Sequence, residues 1–212
     1  MNINIRHEIE EDFRKVEEVT REAFYNLYFP GCNEHLVVHN IRNHNDYIKE
    51  LSYILEVDGE IVGSIFYAHS KIIGWNGTEI KTISFGPVSI HPKYHRMGLG
   101  RKLITHSIEE AKRLGYTAIL TLGYPYHYEP YGFLGGKKYN IAMEDGKFYK
   151  GLLVLPLHEG ALDNISGYAK FSDVYESTEE ETENFDSTFP PKEKCFKESQ
   201  KEFEIASVMI DE

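Results

Sequence analysis

Cysteine is nearly missing from this chain: Cys32 and Cys195 are the only two in 212 residues, and they lie far apart. That argues against a disulfide framework and fits reduced thiols in a cytosol. Long apolar runs are missing too. No stretch approaches the ~20 residues a membrane-spanning helix needs, and the opening MNINIRHEIEEDF carries acid early, with no apolar signal core. The expectation is a soluble, cytoplasmic protein with no membrane partner. Basic residues are outnumbered, 23 Lys and Arg against 34 Asp and Glu, for a formal net charge of −11. This balance speaks against nucleic acid as a partner and leans toward a cationic acceptor such as an amine. Internal repeats are absent.

With 41% hydrophobic and 13% aromatic residues, the chain can bury one sizeable core. Asn2 to Ile9 alternates as a first strand. Glu10, Glu11 and Asp12 suit the N-terminal dipole of a helix whose buried face is Phe13, Val16, Val19, Ala23 and Phe24. Tyr25 to Pro30 is an aromatic exit from that helix. Glu34 to Arg42 reads as a second helix with His35 and His39 four apart; a third ligand and the Glu of HExxH are lacking, so no metal is expected. Ser52 to Val57 and Ile61 to Ile73 flank Asp58-Gly59 as a hairpin, and Trp75-Asn76-Gly77-Thr78 turns the chain into another strand. Thr117 to Leu122 is a further strand. Lys138 to Met143 and Phe148 to Leu155 close the series around a turn at Asp145-Gly146. Antiparallel strands in succession, then helix and strand, give an α+β order.

The tail changes character. From Asp173 to Asp186 there are acids and no basic residue, followed by Pro190-Pro191 and a Lys/Glu mixture. It reads as a solvated helix with a linker, or as a regulatory or partner-binding tail. Phe185, Phe189, Phe196 and Phe203 suggest that parts of it dock.

The chain is organised around Ile83 to Gly100, ISFGPVSIHPKYHRMGLG. Lys81 to Ile90 reads as a strand buried on most of its surface, and Pro92 ends it. Leu99, Leu103, Ile104, Ile108, Ala111 and Leu114 then recur at helical spacing, closed by Gly115. Gly98 and Gly100 therefore sit at a helix N-terminus, where unpartnered backbone N–H groups and the dipole favour a phosphate. Arg96, Arg101 and Lys102 add positive charge. The GK[ST] end of a Walker loop and the third glycine of a dinucleotide fingerprint are both missing.

The segment PVSIHPKYHRMGLGRKL resembles the acetyl-CoA-binding motif of the GCN5-related N-acetyltransferases (GNAT), a strand, a proline and [QR]xxGx[GA]. Downstream, Tyr128-Glu129-Pro130-Tyr131-Gly132-Phe133 is similar to that family's tyrosine four residues before Gly-Phe. The wording around both motifs is similar to a bacterial branch of predicted N-acetyltransferases. The likeness covers roughly residues 3 to 140 well, and implies a GNAT-like domain over residues 1–158 with an acidic, docked extension over 159–212. In place of the family's Gln or Arg stands His95, with Arg96 beside it to supply positive charge.

The resemblance implies a mostly antiparallel sheet, flanked by helices, whose central strands splay into a cleft. A bulge near Gly86-Pro87 is expected to start the splay. It implies acetyl-CoA as cosubstrate and a small-molecule or peptide amine as acceptor, attacking the thioester directly in a ternary complex. Val88, Ser89 and Ile90 would bind the pantetheine arm, and His95, Arg96, Met97, Gly98, Leu99, Gly100 and Arg101 the pyrophosphate. Tyr128 would protonate the leaving thiolate. For the base, Glu79, His91, His127, Glu129 or a water chain are candidates, His127 first among the side chains. Tyr25 to Pro30 would wall the acceptor pocket. A catalytically silent acyl-CoA-binding sensor is the alternative, and the oligomeric state is open, a homodimer included.

Overall fold

The computed structural model describes residues 1–211. In chain order its elements are β1 (Ile3–Arg6), α1 (Phe13–Phe24), α2 (Glu34–Ile41), β2 (Tyr53–Val57), β3 (Glu60–Gly74), β4 (Glu79–Ile90), α3 (Leu99–Arg113), β5 (Ala118–Leu122) and α4 (Pro125–Tyr128). There follow β6 (Leu134–Gly135), β7 (Ile141–Ala142), β8 (Leu152–Pro156), β9 (Gly167–Lys170), α5 (Glu179–Asp186) and α6 (Glu198–Ser207). The strands form one sheet in the order β1-β2-β3-β4-β5-β8-β6, with β9 on the far half of β3 and β7 beside β9. Pairing is antiparallel except for β4 with β5 and β7 with β9. The α+β expectation, a mostly antiparallel sheet with helices on its faces, describes the molecule.

Strand alternation divides the core. Leu55, Ile65, Tyr67, Ile83 and Ile119 face α3 and meet Leu99, Leu103, Ile104, Ile108 and Ala111. Their neighbours Ile54, Phe66 and Ala68 face the other way, onto Val16 and Val19 of α1 and Val38 and Ile41 of α2. Truncating a fully buried leucine such as Leu103 costs about 2–5 kcal/mol. The Asp58-Gly59 turn of the β2–β3 hairpin has both residues at positive φ, 52° and 84°, matching the right-handed twist of its strands. A buried cation ties the helices together: Arg42 Nε meets Glu8 Oε1 at 2.9 Å and Nη1 meets Glu17 Oε1 at 2.7 Å.

The splay has a local cause. Along β3, Ile65 and Tyr67 are two residues apart, while their partners Val88 and Phe85 on β4 are three apart, so β4 bulges at Gly86-Pro87. Its pairing with β5 is confined to Ile83 with Ile119 and Ser84 with Leu120. Beyond the bulge, Val88 to Ile90 pairs with β3, and among the described residues no strand pairs with the opposite edge.

The closing strands are shorter than expected. Residues 136–139 form a 3-10 turn that ends at Asn140 in the left-handed region, leaving only Ile141–Ala142 as strand, and β8 begins at Leu152 rather than at Phe148. Strand β9 was not anticipated; it lies within the segment read as extension, and its GYAK sequence lacks a clear alternation. A side chain at Gly167 would collide with the Ile73 carbonyl, so glycine lets β9 close on β3. The acidic tail docks through three of its four phenylalanines. Phe185 packs on His35 and His39, Phe189 lies under Arg14 with the cation 3.4 Å from the ring centre, and Phe203 meets Tyr28 at 4.4 Å. Phe196 stays exposed. Arg21 grips Asp186 with two bonds of 2.6 and 3.0 Å, anchoring α5 to α1.

Candidate active site

The free edge of β4 opens onto a cleft of about 650 Å³. Val88, Ile90, His95, Arg96, Gly98, Leu99, Gly100 and Arg101 line it, as do His127 and Tyr128. Two residues from the motif lie elsewhere. Ser89 is fully buried, its Oγ 2.9 Å from Ser64 Oγ and 3.3 Å from Thr20 Oγ1, toward α1. The Met97 side chain points to solvent.

The ladder explains which β4 amides are available. His91 N donates to Val62 O, so alternate residues direct their polar groups to β3, and Val88 and Ile90 direct theirs to the cleft. The Ile90 carbonyl, free of the ladder, accepts from His95 Nε2 at 2.8 Å. The imidazole therefore carries its proton on Nε2 and fastens the loop to the end of the strand. Arg96 and Gly98 both adopt positive φ, 62° and 74°, a turn that can gather successive N–H groups around an anion. Gly98 caps α3.

Gly100 has a different reason to be glycine. A Cβ there would meet only Ile90 Cγ1, at 3.6 Å, an ordinary contact. The packing around position 100 therefore admits a side chain, and glycine at the start of α3 keeps its first amides open to approach.

At the other end stands Tyr128. Its ring packs on Phe85 and Phe133 at 5.6 and 5.8 Å, and a Cβ at Gly123 would lie 2.6 Å from its Cε2. Glycine at 123 thus seats the tyrosine. Burial pushes the Tyr128 phenol up to about 12, so it holds its proton at neutral pH. His127 sits beside it on the rim, and burial pushes the imidazole below its ordinary value, toward the neutral form. From Phe85 to Ile90 the cleft spans about 17 Å at strand rise, with the phenol at one end and the glycine turn at the other.

The remaining base candidates lie outside this cleft. Glu79 is paired with Lys71 at 2.8 Å. His91 lies in a shallow hollow with Lys15 and Glu22, and Glu129 is an exposed residue of the 3-10 turn after α4. A second, larger hollow of about 780 Å³ meets the cleft at Phe85, Gly86, Leu122 and Tyr175. It lacks both the glycine turn and the phenol. The His35 and His39 pair does not converge: His35 is fully buried against the tail, and His39 Nδ1 lies 2.9 Å from Glu17 Oε1. His35 also stands between Cys32, with Sγ 3.4 Å from Nδ1, and Asp186, with Oδ1 3.1 Å from Nε2. That order resembles a nucleophile triad, but burial raises the Cys32 thiol and leaves it 3% exposed, so no thiolate is presented.

Sequence reasoning missed Glu34. It lines the cleft at the first position of α2, near Phe24, Leu27, Tyr28 and Val37, and burial pushes its carboxyl up to about 7. In sequence it looks like any acid opening a helix. The only signal for burial was the apolar run around it.

A splayed, mostly antiparallel sheet with a glycine turn at the mouth of its cleft defines a GNAT-type fold. The family model for the acetyltransferase (GNAT) family matches residues 13–126, and the chain belongs to that family; it is by class an acetyl-CoA-dependent acetyltransferase. Among curated relatives it is 23% identical over 172 residues to the uncharacterized N-acetyltransferase YhbS of Escherichia coli K12, covering 81% of this chain and 97% of the relative. The solved structure of E. coli YhbS in complex with CoA superposes with a TM-score of 0.72 at 21% identity, over 82% of this chain and 92% of that one. A GNAT family acetyltransferase from Brucella melitensis in complex with acetyl-CoA gives 0.67 at 22% identity, over 82% and 99%.

Proposed function

We propose that the protein transfers the acetyl group of acetyl-CoA to a primary amine by direct attack, with both substrates held together in the cleft. The observation that carries this reading is the free edge of β4 with Tyr128 at one end and the Gly98/Gly100 turn at the other. In this reading the turn holds the pyrophosphate, helped by Arg96 and Arg101. The pantetheine arm pairs with the Val88 and Ile90 backbone as an added strand would. A backbone N–H there polarises the thioester carbonyl and stabilises the developing oxyanion. Tyr128, its phenol protonated, gives a proton to the departing thiolate. His127, neutral at the rim, passes protons to solvent. No observation favours a catalytically silent sensor.

The described part of the extension beyond β9 acts in this proposal as a docked segment that braces the acceptor side. Tyr25 Oη donates to Lys192 O at 2.7 Å, Ser199 Oγ to Leu27 O at 2.8 Å, and Gln200 Nε2 to Asn26 O at 3.1 Å. The aromatic exit from α1 is thereby held as a wall of the acceptor pocket.

Calorimetric titration with acetyl-CoA, with ATP and NAD as controls, tests the coenzyme; thiol release with a panel of amines tests the transfer. Selective micromolar binding and amine-dependent thiol release are expected. A nucleotide that binds where acetyl-CoA does not would overturn the reading.

A further inference from the structure

Primary amines are largely ammonium ions at neutral pH and must lose a proton before they can attack. Within the cleft, the carboxylate placed to take it is Glu34. Among the described residues no Lys, Arg or His forms an ion pair with it, and the hydrogen bond to Oε2 comes from the Asn33 backbone N–H, at 3.2 Å. Phe24, Leu27 and Val37 line the same cleft. A buried carboxylate without a cation is costly, and among the described residues none pairs with it.

The group lines the same cleft as the proposed acid. Burial holds the Tyr28 phenol in its protonated form, and the charges that act on that phenol come from Tyr128 and Glu34, then Tyr124 and Tyr126. Tyr28, Glu34 and the proposed acid line the same cleft. The titratable groups that share the cleft with Glu34 are Tyr28, Tyr128 and His127 from α4, Tyr131, Tyr94 and, from the turn after β9, Tyr175, with Cys32 close by on its own loop. Arg96, Arg101 and His95 lie at the opposite end, around the glycine turn.

Resting on the acetyltransferase reading, we propose that Glu34 is the catalytic base, which receives the acceptor as an ammonium ion carried on an apolar stem and takes a proton from it. The ammonium gives one proton to the Glu34 carboxylate. The freed nitrogen lone pair forms the C–N bond while the C–S pair leaves with sulfur. The thiolate takes the Tyr128 hydroxyl proton, and the second proton lost from nitrogen restores the phenol. Glu34 releases its proton to water, so one proton appears in solution for each amide formed.

The test is thiol release from acetyl-CoA with 2-phenylethylamine as acceptor, for wild type, Glu34→Gln and Glu34→Asp across about pH 5.5 to 9. In wild type, kcat/KM rises through about pH 7 as the carboxylate ionises. Glu34→Gln should lose about 100-fold or more near pH 7.5 and keep climbing toward the amine's own pKa, because only amine already neutral then reacts. Glu34→Asp should recover part of the rate and keep a rising limb. Melting temperature and acetyl-CoA affinity, measured on the same proteins, should hold steady. A Glu34→Gln enzyme within threefold of wild type, or with the wild-type limb, overturns the proposal. So does a wild-type enzyme that binds acetyl-CoA but releases no thiol with this amine at any pH. Failure of wild type to bind acetyl-CoA would instead overturn the underlying reading.

Discussion

Replacing Gly100 by alanine separates the needs of the fold from those of the ligand. For the fold the change is favourable. The new Cβ meets only Ile90 Cγ1, at 3.6 Å, and position 100 lies in the first turn of α3 without the positive φ that Gly98 has. Relative to glycine, alanine in a helix gains up to about 0.5–1 kcal/mol, worth roughly 2–4 °C in melting temperature per kcal/mol at this chain length. For the proposed pyrophosphate the change is harmful. A methyl over the first amides of α3 holds the anion away from them, and each charge-assisted bond lost there costs about 1.5–3 kcal/mol. One or two such bonds correspond to a drop in acetyl-CoA affinity of about 10-fold to 20,000-fold, 1.4 kcal/mol being tenfold. Thermal unfolding and calorimetric titration on one preparation measure both. Unchanged affinity would show that the turn does not hold the phosphates. A melting temperature that falls along with affinity would show that Gly100 serves packing.

Tyr128→Phe should lower turnover 10- to 100-fold with acetyl-CoA affinity retained, and Gly123→Ala should imitate it by pushing on the ring from 2.6 Å; equal turnover in Tyr128→Phe would make the tyrosine structural. His127→Ala should slow turnover severalfold near neutral pH, and an unchanged rate and pH profile strikes it from the mechanism. Arg42→Met leaves Glu8 buried without its cation and strips Glu17 of one of its partners, and should destabilise by about 3–5 kcal/mol in denaturant titration. Burial works against ionised Asp186, yet the Arg21 guanidinium outweighs it and holds the carboxyl below its ordinary value. Its stabilisation is therefore present above the unfolded-state pKa of about 4 and lost as pH falls through the lower folded value. Asp186→Asn should flatten the acid limb of stability against pH, and a limb as steep as wild type would refute that.

How much of this was legible in the sequence depended on whether the signal was local. The α3 stripe, the Gly115 cap, the Asp58-Gly59 hairpin and the glycine turn were readable because each follows from the steric demands of a few neighbouring residues. Even the splay was legible at its origin, since the proline at 87 breaks the ladder within β4. The order of the site was readable for the same reason: Phe85 to Ile90 is one strand, and Gly100 follows it closely. By contrast, β9 was hidden because GYAK is held by pairing to β3, almost a hundred residues earlier, and by the contact that Gly167 permits with Ile73.

Glu34 escaped for a related but distinct reason. Acid at the first position of a helix satisfies the dipole, and that local account is sufficient, so the residue draws no notice. Its burial depends on residues far away in the chain: Phe24 of α1 and Tyr128 and His127 of α4 line the same cleft, and the tail packs Phe203 on Tyr28 and Ser199 on the Leu27 carbonyl. Each of those contacts is ordinary packing on its own. Together they withdraw water from a carboxylate that no cation accompanies, and a group whose protonation is thereby poised near neutrality is suited to exchanging a proton with an incoming amine. In the proposed mechanism the tail, which in sequence looks like a solvated appendage, would bear on the chemistry through the wall it holds in place. Phe203→Ala should loosen that wall and raise the KM for the amine more than it lowers kcat.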